Sequence, residues 1–144
     1  MKYEKEFNAY LADLAVMTMK LHNIHWNVVG KDFTRVHEFT EKEYETVFDY
    51  MDAVAEHLRK FECVPQANMS ELLKVSHVKE IPARTFTCQE ALELVYADLQ
   101  NLRTVATELR NACDEEGWFS AVDMLEDHID HYNKQIWFLR SMLA

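Results

Sequence analysis

Glycine and proline are almost missing from this chain, with 2 of each in 144 residues. A β-sandwich or barrel needs a turn about every 8–12 residues, so four such residues exclude both and leave few, long elements, which are helices. Cysteine is scarce as well. Three of them, without paired spacing, fit free thiols in a reducing cytoplasm better than a disulfide framework. No apolar run approaches the ~18 residues of a membrane span. Glu4, Glu6 and Asp13 argue against a secretory signal. The expected location is cytoplasmic, with no membrane as partner. Positive charge is in deficit, Lys+Arg 15 against Asp+Glu 25, for a formal net charge of -10 at pH 7. Such a surface repels nucleic acid and anionic lipid and attracts cations. There is no low-complexity tract and no internal repeat, and the length suits a single domain, residues 1–144, with a substantial core.

What the chain does have is 49% hydrophobic residues laid out at helical period. A first helix is predicted from about Glu4 to Val29, where Leu11, Leu14, Thr18, Leu21 and His25 recur at steps of three and four. Gly30 ends it. A second runs from about Asp32 to Phe61, with Phe33, Val36, Val47, Met51, Val54 and Leu58 along one side. Cys63 to Phe86 holds both prolines and reads as a long crossover, with one short helix behind a possible N-cap at Ser70. Thr87 and Glu90 form a reciprocal capping pair that opens a third helix. Its stripe runs Cys88, Leu92, Val95, Leu99, Leu102, Ala106, Leu109, Cys113, so two cysteines read as packing residues. Gly117 closes it. A fourth helix is predicted to start at Ser120, capped with Asp123, and carries Val122, Leu125, Ile129, Tyr132, Ile136, Leu139 and Leu143. Four helices with one long connection give an all-α, ferritin-like bundle.

Ligand-type side chains gather on the end of the first helix and along the second: His22, His25, His37, Glu41, Asp49, Asp52 and Glu56. His37 and Glu41 are four apart, as are Asp52 and Glu56. Eleven residues separate Glu41 from Asp52, about three full turns, so both pairs share one stripe. The plain interpretation of each acid alone is a solvated helix face. His25 differs, because it continues an apolar stripe and should point inward, where an unpaired imidazole is costly. The turn at Gly30 brings it back toward His37 and Glu41. Two imidazoles and a carboxylate suit Fe or another first-row ion, and are too nitrogen-rich for Ca or Mg. His37 and Asp52 lie roughly 22 Å apart along one helix and cannot share an ion within one chain. Two copies of that helix packed antiparallel about a two-fold axis would complete two identical sites.

The run His22-Asn23-Ile24-His25-Trp26-Asn27-Val28-Val29-Gly30, then Phe33, His37-Glu38, Tyr44 and Asp52-Ala53-Val54-Ala55-Glu56, resembles the signature of the Dps proteins, the dodecameric mini-ferritins. Trp137-Phe138-Leu139 resembles their closing motif. The resemblance implies a homo-oligomer, a dodecamer built from two-fold dimers, with iron and no haem at the dimer interfaces. It implies that Fe(II) is oxidised there, with hydrogen peroxide and also dioxygen as oxidant, and that ferric mineral is stored in the cavity as protection against oxidative stress. Residue by residue, His25, His37, Asp52 and Glu56 match family ligands. Position 41 departs: Glu41 stands where the family usually has Asp, and remains a hard oxygen donor one methylene longer.

Two further expectations concern charge. From Asp114 to Asp130 the chain carries seven acids and no Lys or Arg. Asp123 has a helix-capping explanation, whereas the resemblance implies that Asp123 and Asp127 line an iron inlet at the three-fold channels. Several family members bind DNA through a lysine-rich tail. Here the first six residues, Met-Lys-Tyr-Glu-Lys-Glu, carry two Lys cancelled by two Glu, and only four residues follow Arg140. DNA binding is therefore not expected. A DNA-compacting protein, with iron secondary, is the alternative.

Overall fold

A computed structural model describes all residues, 1–144. It contains α1 (Glu4–Asn27), β1 (Val28–Val29), α2 (Phe33–Lys60), α3 (Met69–Val75), β2 (Phe86–Thr87), α4 (Cys88–Glu115) and α5 (Phe119–Leu143). α1 packs on α2 and α4 on α5, forming two helical hairpins joined by the crossover that contains α3. This is the expected all-α four-helix bundle with one long connection. The predicted stripes are the core: Leu11, Leu14, Leu21, Val36, Val47, Val54, Leu58, Val95, Leu99, Leu102, Leu125, Tyr132 and Leu139 are buried together. Phe33 is the exception, being exposed at the first turn of α2.

The helix ends show where the chain is pinned. At α4 the capping box forms as expected, with Glu90 N–H donating to Thr87 Oγ1 (3.1 Å) and Thr87 N–H to Glu90 Oε1 (3.3 Å). Three predicted termini shift. α3 is capped by Asn68, whose side chain accepts from Glu71 N–H, not by Ser70. α5 begins at Phe119 with Trp118 at its N-cap, so Ser120 lies inside the helix and the Ser120–Asp123 capping box does not form. α1 ends at Asn27, because Val28 and Val29 leave the helix and pair in parallel with Phe86 and Thr87. Gly30 then turns the chain with φ 129, and a Cβ there would sit 3.3 Å from Cys88 Sγ, so glycine is needed twice over. Cys88 is accordingly only half-buried, while Cys113 is fully buried and all three thiols are free.

Charged groups inside the bundle come in pairs. Lys20 Nζ on α1 lies 2.7 Å from Asp98 Oδ2 on α4. Buried Asp13 accepts from Ser76 Oγ (2.8 Å) and from the backbone and ring N–H groups of His77, fastening the crossover to α1. His131 Nε2–H is shared between both oxygens of buried Glu43 at 3.0 and 2.9 Å, joining α5 to α2. No helix is long and apolar enough to cross a membrane.

Candidate metal centre

The tight turn at Gly30 folds the end of α1 onto the start of α2, and the two predicted imidazoles meet there. The rings of His25 and His37 stack with centroids 3.6 Å apart and planes 19° from parallel. Each ring is oriented by the other's backbone. His25 Nδ1–H donates to the His37 carbonyl (2.7 Å) and His37 Nδ1–H donates to the His25 carbonyl (2.9 Å). That reciprocal pair fixes both tautomers, so each Nε2 carries a free lone pair and has no hydrogen-bond partner in the chain. A backbone carbonyl on the far ring nitrogen is the usual outer support of a metal-binding histidine.

Burial sets the electrostatics. His25 is 4% exposed. Burial lowers its pKa, His37 and His22 push the same way, and the His37 carbonyl and Glu41 oppose them. The neutral, metal-binding form is therefore favoured at neutral pH. Glu41 is exposed one turn beyond His37, near enough for its charge to act on both His25 and Tyr44. Aromatic rings enclose the pair. Phe33 stacks on His37 (5.0 Å), Tyr44 meets His25 edge-on (5.2 Å), and His22 stacks on Tyr44 (3.8 Å).

Asp52 and Glu56 are exposed on α2, one turn apart and away from this pair. Within one chain no three His, Cys, Asp or Glu side chains converge to hold a metal ion. The predicted ligands thus fall into two halves, His25, His37 and Glu41 at one end of α2 and Asp52 and Glu56 toward the other. The bundle interior, the other place where such folds build metal sites, is taken. Asp13, Asp98 and Glu43 are each engaged by a partner, as described above.

Asp123 and Asp127 lie one turn apart on the exposed side of α5. Arg110 holds Glu126 (3.0 Å) and Asp114 (3.5 Å), whereas no ion pair involves Asp123 or Asp127. With the Ser120 cap gone, Asp123 sits beyond the first turn and helix capping does not account for it.

The sequence reading missed every interior polar residue except His25. Asp13, Lys20, Thr40, Glu43, His57, Asp98 and His128 are all buried. The signal was there: all but His57 occupy a three- or four-residue step between two apolar residues of a core stripe, as Thr40 and Glu43 do between Val36 and Val47.

Comparison with known proteins agrees with the fold. The model of the ferritin-like domain family matches residues 4–144. A DNA protection during starvation protein of Helicobacter pylori is 35% identical over 133 residues, covering 92% of each chain. Among solved structures, antigen TpF1 from Treponema pallidum superposes with a TM-score of 0.95 at 31% identity, over 97% of this chain and 90% of its own. A zinc-soaked Dps from Listeria innocua gives 0.92 at 32% identity, over 96% and 94%.

Proposed function

The chain belongs to the Dps branch of the ferritin-like family, and from that premise we propose that it is a ferroxidase that oxidises Fe(II) and stores the ferric product inside a hollow homo-oligomer. The observation that carries this is the His25–His37 pair, two imidazoles locked by each other's backbone with both Nε2 atoms free. These two keep one donor each at a surface that Glu41 makes negative. The oxygen donors Asp52 and Glu56 complete the set from a second copy, with α2 packed antiparallel on α2 about a two-fold axis. Nitrogen and carboxylate donors together suit Fe(II), and the carboxylates stabilise the ferric charge that develops. Peroxide takes two electrons, one from each of two Fe(II) ions, and is reduced to water or hydroxide. Asp123 and Asp127 supply a negative lining where iron comes in, raising the local cation concentration.

The test uses the purified protein with Fe(II) and peroxide, following ferric absorbance and particle size. We expect a particle of about 200 kDa, twelve chains of 17.0 kDa. The double variant His25→Ala/His37→Ala should keep that mass and lose fast oxidation. The parent's rate should fall in acid, as protons compete with metal for the imidazole of His25, and burial places that fall below the ordinary imidazole range. Parental initial rates in the double variant, or a stable monomer that still oxidises iron, would overturn the proposal.

A further inference from the structure

On α5, away from the His25–His37 pair, one more imidazole is built as a metal ligand is built. His131 turns its ring to α2, where both oxygens of Glu43 share its Nε2–H at 3.0 and 2.9 Å. The Glu43 side chain is 2% exposed and that of His131 20% exposed. A buried carboxylate on one ring nitrogen is the usual outer support of a metal-binding histidine. It fixes tautomer and ring direction and makes the other nitrogen a better donor. With the proton on Nε2, the lone pair sits on Nδ1, which makes no hydrogen bond in the chain. Two further rings hold the imidazole in place. Tyr50 of α2 meets it edge-on, centroids 5.7 Å apart and planes at 87°, and Tyr132 does so at 6.1 Å and 61°.

An oxygen donor stands one turn away. A helical side chain leans toward the N-terminus of its helix, so His131 lies over the turn that begins at Asp127, four residues earlier on the same face. Asp127 is exposed and forms no ion pair. Burial raises the pKa of Tyr50, and the charges of Glu43, Asp127 and Asp130 push it the same way. Asp127 is thus on the α2 side of α5, as the His131 ring is. The next cation along α5, Lys134, is turned onward, its Nζ 5.6 Å from the centroid of the Phe138 ring. No third His, Cys, Asp or Glu converges with Asp127 and His131.

We propose that Asp127 and Nδ1 of His131 together bind a divalent first-row metal ion, in a second site on the seam between α2 and α5. One imidazole with one carboxylate takes Fe(II), Co(II) or Zn(II) and disfavours Ca(II) and Mg(II), which prefer oxygen alone. Two protein ligands leave the remaining positions to water, so the ion is held loosely and exchanges. That is the behaviour of a way station and not of a store. Asp123, Asp127 and His131 stand four residues apart along one face of α5, and an ion attracted by the two acids gains its first nitrogen donor at His131. The inference concerns binding alone and does not depend on whether the protein oxidises iron.

Co(II) is the probe, because it takes the same donors as Fe(II) and stays divalent in air. The assembled His25→Ala/His37→Ala variant, which lacks the imidazoles of the first centre, is dialysed to equilibrium against Co(II). Adding His131→Gln to it should remove one ion per chain. Adding Asp127→Asn instead, an exposed change outside the core, should weaken that ion's binding about tenfold. Crystals of the parent soaked in Co(II) should show an anomalous peak about 2.1 Å from Nδ1 of His131. Equal Co(II) uptake with and without His131→Gln would overturn the proposal, as would unchanged affinity in Asp127→Asn. A peak in the soaked crystal without a matching ion in dialysis means binding at crystal concentration only, and also overturns it. If His131→Gln strands Glu43 and the chain does not fold, Asp127→Asn decides alone. A parent that binds Co(II) at His131 yet fails to oxidise Fe(II) would reject the function above and support this site.

Discussion

Acid should weaken this fold through His128, by an amount that the structure sets. The ring is buried between Tyr10 and Tyr50, and burial takes its pKa from 6.5 down to about 4. The folded chain therefore binds fewer protons than the unfolded one between those two values, and stability falls as pH drops through that window. At pH 5 an unfolded His128 is almost wholly protonated and the folded one is not, a difference of about 2 kcal/mol relative to pH 7. For a domain of this size that corresponds to roughly 6 °C in apparent Tm. Calorimetry of the assembled protein at pH 7 and pH 5, parent against His128→Gln, isolates the effect. The variant has no titrating ring at that position, so its Tm should fall about 6 °C less than the parent's. Its lower starting stability does not matter, because only the change with pH is compared. His25 and His57, also lowered by burial, remain in both proteins and cancel. Equal drops in parent and variant would show that His128 takes a proton in the folded state as readily as in the unfolded one, and would refute the reasoning.

Two other perturbations follow from the same structure. Lys20→Met strands Asp98, a carboxylate that burial already pushes toward its protonated form, and should cost about 3–5 kcal/mol in denaturant melts; adding Asp98→Leu should return most of it, and a double variant as weak as the single would contradict the pairing. Replacing Asp123 and Asp127 together by Asn should slow oxidation at low iron, more so at low ionic strength, while the His25–His37 pair is untouched; a parental rate under those conditions would assign both acids to solubility.

The architecture was legible in the sequence because it depends on periodicity and punctuation. Four apolar stripes, a Thr87–Glu90 capping pair and two glycines past helix ends specify two hairpins and a crossover. Half of the candidate centre was legible for a related reason. His25 interrupts an apolar stripe, which no solvated residue does. Glu41, Asp52 and Glu56 could be picked out by spacing alone, since all three are exposed and the chain's own packing brings no third ligand to either pair. The interior network was illegible for the opposite cause. Glu43, Asp98 and His128 occupy core positions whose partners, His131, Lys20 and Tyr10, are 78 to 118 residues away along the chain. Local pattern marks such a residue as buried, but only the fold supplies what satisfies it. The start of α5 shows a milder version. Ser120 and Asp123 have the right spacing for a cap, yet the helix begins one turn's fraction earlier at Phe119, after the chain has left Gly117 at φ 72.

The two-residue parallel pair between β1 and β2 has a consequence for how the chain tolerates change. Val28 is held against Phe86, and Asp13 holds Ser76 and His77, so the crossover is moored at both ends of the segment 78–85. Lengthening that segment costs only the slowly growing entropy of a longer loop, about 0.6 kcal/mol per doubling. Asn23 of α1 donates to the Ile81 and Pro82 carbonyls and Val78 is buried in the core, so only residues 83–85 are clear of the helix that carries His25. A graft inserted at 83–85 should leave the His25–His37 pair, which starts four residues before Val29, undisturbed. One residue past Val29 the opposite holds: a Cβ on Gly30 would press on Cys88 Sγ at 3.3 Å, and its φ of 129 strains any other residue.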